Sequence, residues 1–109
     1  MTNSEATIWG SEQAQQLVLV LSEMKKEATM QNFLRDVLTE KEIIEISARL
    51  EAAKLLNSKE KYTTISEQTK LSSRTIARIS EWLQNGTSGY KSALSIIEKH
   101  HGHIPPARP

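Results

Sequence analysis

Cysteine is absent from this chain of 109 residues. That excludes a disulfide framework and any thiolate metal site, and it fits a reducing compartment. Proline occurs only at positions 105, 106 and 109, so nothing before the tail forces a helix to break. Glycines stand only at 10, 86, 89 and 102, which leaves no phosphate-cradling glycine-rich loop. Hydrophobic residues make up 38% and aromatics 5%, so the core of a single chain is thin and a second copy is the expected way to bury the rest. The longest apolar run, Leu17 to Leu21, falls far short of the roughly 18 residues of a membrane span. Met1-Thr2-Asn3-Ser4-Glu5 lacks the basic start and apolar stretch of a signal peptide. The expectation is one soluble, cytoplasmic domain with no membrane partner.

The net charge of +1 hides an uneven distribution. Residues 1–58 carry six Lys/Arg against nine Asp/Glu, whereas residues 59–109 carry eight against four. An acidic polymer would therefore dock on the second half. A solvated charged face has the same composition, so the motif matters more than the count.

Alternating strand patterns are lacking, and helical spacing recurs instead. A polar arm is expected over residues 1–10. A first helix should run from about Ser11 to the region of Ala28, with Leu17, Val20, Leu21, Met24 and Ala28 on one face. Val18 and Leu19 make it apolar on a second side, which calls for two neighbours. Phe33, Leu34, Val37 and Leu38 mark a short second helix. Thr39-Glu40-Lys41-Glu42 is a capping box opening a third, with Ile43, Ile46, Leu50 and Ala53 in a stripe. Thr64-Ile65-Ser66-Glu67 has the same form and should open a fourth. A fifth is expected from Ser72 to Leu83, stopped by Asn85-Gly86, and Tyr90, Ala93, Leu94 and Ile97 mark a sixth. The fold class is all-α.

Residues 65–79 read as a helix-turn-helix. Ile65 faces the core, and the small Ser66 lets the second helix cross closely. Leu71 plugs the turn, Ser72 caps the second helix, and Ile76 and Ile79 bury its inner face. Ser73, Arg74, Ala77 and Arg78 are left outward, where arginine suits phosphates or guanine edges and small residues allow close approach. The turn position, usually glycine because it needs positive φ, is Lys70, which tolerates that conformation at a modest cost and offers a phosphate contact. The plainer alternative is a helical hairpin with exposed arginines. The joint occurrence of a small residue, a capped turn and the Thr75-Ile76-Ala77-Arg78 ending favours DNA-binding geometry.

From Leu38-Thr39 through Arg49 to Thr75-Ile76-Ala77-Arg78 the chain resembles the Trp repressor superfamily, especially its small Trp-repressor-like members. About 40 residues match closely, and the helix order of nearly the whole chain agrees. The resemblance implies a six-helix domain, an intertwined homodimer whose N-terminal helices interlock, and a repressor-type regulator binding a palindromic operator in double-stranded DNA. It also implies a ligand pocket, carried over to Thr39, Arg49, Thr75 and Arg78, in which arginine would clamp a carboxylate. Two departures count against tryptophan as that ligand. Ile79 stands where the family has glycine, Trp82 where it has serine, and both fill space an indole would need. An ion pair between Arg49 and Glu45 is the ordinary alternative.

The expected organisation is an arm over 1–10, a dimerisation and DNA-binding domain over 11–100, and a tail over 101–109. Expected DNA contacts are Arg74, Arg78 and Thr75 with Ser73 and Ala77 at close approach, and Ser72, Thr64 and Lys70 on backbone phosphates. Lys59 and Lys61 precede the motif and are within the same basic segment. His100, His101 and His103 form a cluster that reads as a solvated tail rather than a metal site. Trp9 is expected against a partner chain, and Trp82 is expected to close the core beside Leu83. No nucleophile, base and carboxylate set points to an enzyme, and neither metal nor cofactor is expected. The rival functions are a helical protein-interaction module that uses the helix-turn-helix as scaffold, and a repressor gated by an amino-acid-like corepressor.

Overall fold

The computed structural model describes residues 7–100. Among them there are six helices and no strand: α1 Glu12–Glu23, α2 Glu27–Val37, α3 Glu40–Asn57, α4 Tyr62–Thr69, α5 Ser73–Asn85 and α6 Gly89–Lys99. The chain divides between Ile43 and Ile44 into two compact units.

In the first unit, Ser11 opens α1 by accepting the Ala14 N–H on its hydroxyl at 3.1 Å. The helix ends at Glu23 rather than near Ala28, and Met24 to Lys26 are extended. No proline or glycine marks this break. A continuous helix would carry Phe33 to the side opposite Val20 and Met24, so the break lets α2 set its own apolar stripe of Met30, Phe33 and Leu34. The capping box forms as its sequence demands: the Thr39 N–H donates to Glu42 Oε1 at 2.8 Å, and the Glu42 N–H to Thr39 Oγ1 at 3.1 Å. No side chain of α1 or α2 is buried.

The second unit holds the core. Ala52 and Ala53 of α3 meet Ile65 of α4 and Ile76 and Ile79 of α5, with Leu55, Leu56, Leu71 and Tyr90 packed around them. Alanines bring the helix axes close, because interaxial distance follows the side chains at the contact. Each of the three fully buried isoleucines contributes about 1.5–3 kcal/mol. The expected α3 stripe is only partly realised: Ala53 is buried and Leu50 half-buried, but Ile46 is exposed. The core touches α3 only toward its C-terminal end, so the earlier isoleucines gain no cover from it.

The turn between α4 and α5 is locked by three polar side chains. Ser66 Oγ donates to the Leu71 carbonyl at 2.7 Å. Buried Thr69 donates to the Ile65 carbonyl at 2.7 Å and accepts the Leu71 N–H at 3.3 Å. Ser72 caps α5, accepting the Thr75 N–H at 3.1 Å. Lys70 sits in the left-handed region, φ 65° and ψ 13°, as the turn requires. The start of α4 differs from expectation. Its cap is Lys61, with the Ile65 N–H bonded to the Lys61 carbonyl at 3.0 Å, so Thr64 lies inside the first turn and its capping-box pattern goes unused.

At its other end, α5 stops at Gly86, whose N–H donates to the Trp82 carbonyl at 2.9 Å. A Cβ on Gly86 would run into that carbonyl oxygen and crowd the indole, so only glycine fits beneath Trp82. Trp82 itself is 56% exposed and does not close the core. It follows Arg78 by four residues and shares that outward side of the helix. On α6, Tyr90, Ala93, Leu94 and Ile97 are half-buried, as their spacing predicts.

Candidate nucleic-acid interface

The two sides of α5 are chemically opposite. Ile76, Ile79 and Leu83 are buried, while Ser73, Arg74, Ala77 and Arg78 are exposed. Lys70 and Ser72, in the turn leading to α5, are exposed as well. Thr75 is half-buried and engaged, its N–H and its hydroxyl both bonded to the Ser72 hydroxyl at 3.1 Å. Thr64 is half-buried inside α4. The ion pairs among the described residues are Arg49–Glu45 and Lys54–Glu51, both on α3, so neither Lys70 nor Arg74 nor Arg78 is neutralised by a carboxylate. The turn thus delivers a short, capped helix with its cationic side free. Such a helix fits a B-DNA major groove about 12 Å wide.

The four pocket residues are engaged differently. Thr39 is occupied in the capping box, and Arg49 Nη2 pairs with Glu45 Oε2 at 3.0 Å. Arg49 also lines an open, largely apolar cleft of about 440 Å³ with Ile46, Leu50, Trp82, Tyr90 and Ala93. Neither Thr75 nor Arg78 lines it. Ile79 fills the core instead of bordering a cavity.

Sequence reasoning missed Thr69 and the cleft. Thr69 carries a faint signal, a hydroxyl at helical spacing from Ile65 on the buried side. The cleft carries none, because it depends on where the Trp82 ring and the start of α6 come to rest. No group of three His, Asp or Glu side chains among the described residues could hold a metal, and His101 and His103 lie outside them.

Known proteins share this architecture. A TrpR-like protein from Eubacterium eligens ATCC 27750 superposes with a TM-score of 0.75 at 29% identity, over 95% of this chain and 100% of that one. A candidate Trp repressor from Staphylococcus aureus gives 0.74 at 26% identity, over 81% of this chain and 88% of the other. No curated protein matches the chain at the level of sequence. The model of the Trp repressor protein family, however, matches residues 12–98, from the first residue of α1 almost to the end of α6. With the helix order and the α4–α5 turn agreeing over that span, the chain belongs to the Trp repressor family.

Proposed function

We propose that this protein is a transcriptional regulator of repressor type that binds duplex DNA as a homodimer and reads the major groove with α5. The observation that carries this is the free outward side of α5, where Arg74 and Arg78 flank the small Ala77 and no carboxylate neutralises either guanidinium. Arg74 and Arg78 face base edges, Ser73 and Ala77 permit the approach, Thr75 braces the helix start, and Lys70, Ser72 and Thr64 serve the phosphates. Intact, unaided helix capping by Ser72 makes the helix preformed, so little ordering is needed on binding.

Selection of bound duplexes from a random pool, at two salt concentrations, tests the reading. The expected product is an enriched palindrome whose two halves lie about one helical turn apart, bound less tightly at the higher salt. Retention that is indifferent to salt and enriches no sequence favours a protein-interaction module instead. One observation supports the ligand-gated variant: the cleft beside Arg49 is apolar and holds one guanidinium. Repeating the selection with and without free amino acids separates the two, since a gated regulator enriches its site only when its ligand is present.

A further inference from the structure

Lys59 and Lys70 share a backbone conformation that lysine rarely adopts. Their φ angles are 67° and 65°, and Ser88 is the one other non-glycine residue with positive φ among those described. Left-handed backbone crowds the Cβ, which is why glycine normally takes such positions. Each lysine follows one helix and stands three residues before the next: Lys59 lies between α3 and Tyr62 of α4, and Lys70 between α4 and Ser73 of α5. Backbone bonds fix both. The Lys59 N–H donates to the Leu56 carbonyl and the Glu60 N–H to the Leu55 carbonyl, each at 3.0 Å, while the Lys70 N–H donates to the Ser66 carbonyl at 2.8 Å. Both side chains are exposed, and neither is in an ion pair. Where glycine would be easier, lysine stands twice.

We propose that Lys59 is a second phosphate-contacting lysine, the counterpart of Lys70, so that each helix of the helix-turn-helix is entered through a cation set against the DNA backbone. This rests on the DNA-binding reading above. The segment from Lys59 to Arg78 carries five cations against two carboxylates, Glu60 and Glu67, and Lys61 adds its charge beside Lys59. A competing explanation stays within the fold: a lysine just past a helix C-terminus complements the negative end of the helix dipole. The two differ in their readout. A dipole partner governs the melting temperature and leaves DNA affinity alone, whereas a phosphate contact governs how affinity falls with salt.

Phosphate contacts are independent of sequence, so mixed-sequence duplex DNA serves as the probe before any operator is known. Affinity is measured across a salt series for the full chain and for Lys59→Gly, Lys59→Asn, Lys70→Gly and Lys54→Gln. Glycine and asparagine both accept left-handed backbone, so the turn survives without its charge. Lys54, paired with Glu51 at 3.3 Å on α3, is the control. The slope of log affinity against log salt should become shallower by about 0.9 for each Lys59 or Lys70 removed, equally for both Lys59 variants, and stay unchanged for Lys54→Gln. If Lys70→Gly alone flattens the slope, the Lys59 proposal is overturned while the DNA reading stands. The same holds if the Lys59 variants lower the melting temperature and leave the slope untouched. A wild-type chain without salt-dependent binding overturns both.

Discussion

Arg74 and Arg78 stand one helical turn apart on the outward edge of α5, with Ala77 exposed beside them. A guanidinium offers a planar fork of donors that matches the two acceptors on the major-groove edge of guanine, and lysine cannot reproduce it. Arg74→Ala should therefore weaken binding to the selected operator by about 1–3 kcal/mol. Arg74→Lys separates the two roles of the charge. It should keep most of the affinity for mixed-sequence DNA and lose discrimination at one base pair of each half-site, as read by competition among single-base operator variants. Equal discrimination by Arg74→Lys and wild type would make Arg74 a phosphate contact only. Burial gives a second reason to trust this edge: Ile76 and Ile79 pin the opposite side of α5 to the core, so Arg74 and Arg78 cannot rotate inward without exposing both isoleucines.

At the scale of elements, the α4–α5 turn is held less by its sequence motif than by two hydroxyls. Thr69 is buried, donates to the Ile65 carbonyl and accepts from the Leu71 N–H. Thr69→Val keeps the shape, deletes both bonds and leaves the Leu71 N–H without its acceptor, at a cost of about 1–3 kcal/mol. Urea denaturation checks this, with the midpoint expected to fall and the slope to hold; an unchanged midpoint would show that the turn does not need Thr69. The same elements show what the sequence makes legible. Local chemistry marks the start of α3 and of α5, because the Thr39–Glu42 box and the Ser72 cap each satisfy nearby N–H groups with nearby atoms. Thr64–Glu67 has that same local form, yet α4 begins two residues earlier, at Tyr62. Burial of Ile65 against Ala52 and Ala53 sets the helix there, and tertiary packing overrides a cap worth about 1 kcal/mol. The break after Glu23 was hidden for the same reason. The outward place of Arg74 and Arg78 follows from period alone, whereas the cleft beside Arg49 needs the positions of three helices at once.

For the whole molecule, the outstanding fact is the apolar surface of α1. Leu17, Val18 and Leu19 are 45%, 47% and 58% exposed, and no residue of that helix is buried. Three consecutive residues span more than half a helical turn, so one flat neighbour cannot cover them all. Full burial of such side chains is worth about 1.5–3 kcal/mol each, which makes their exposure in a stable chain costly. A second copy offers the same surface, self-complementary about a two-fold axis, and would also present two reading helices to successive major grooves about 34 Å apart. Light scattering should therefore give twice the chain mass of 12.3 kDa, and the melting temperature should rise with protein concentration, because association stabilises only the folded chain. Leu19→Lys should shift both toward single-chain behaviour and weaken binding to a palindromic duplex far more than to an isolated half-site. A wild-type mass of one chain, with a melting temperature indifferent to concentration, would leave Leu17 to Leu19 without a partner and remove the two-fold reading of DNA.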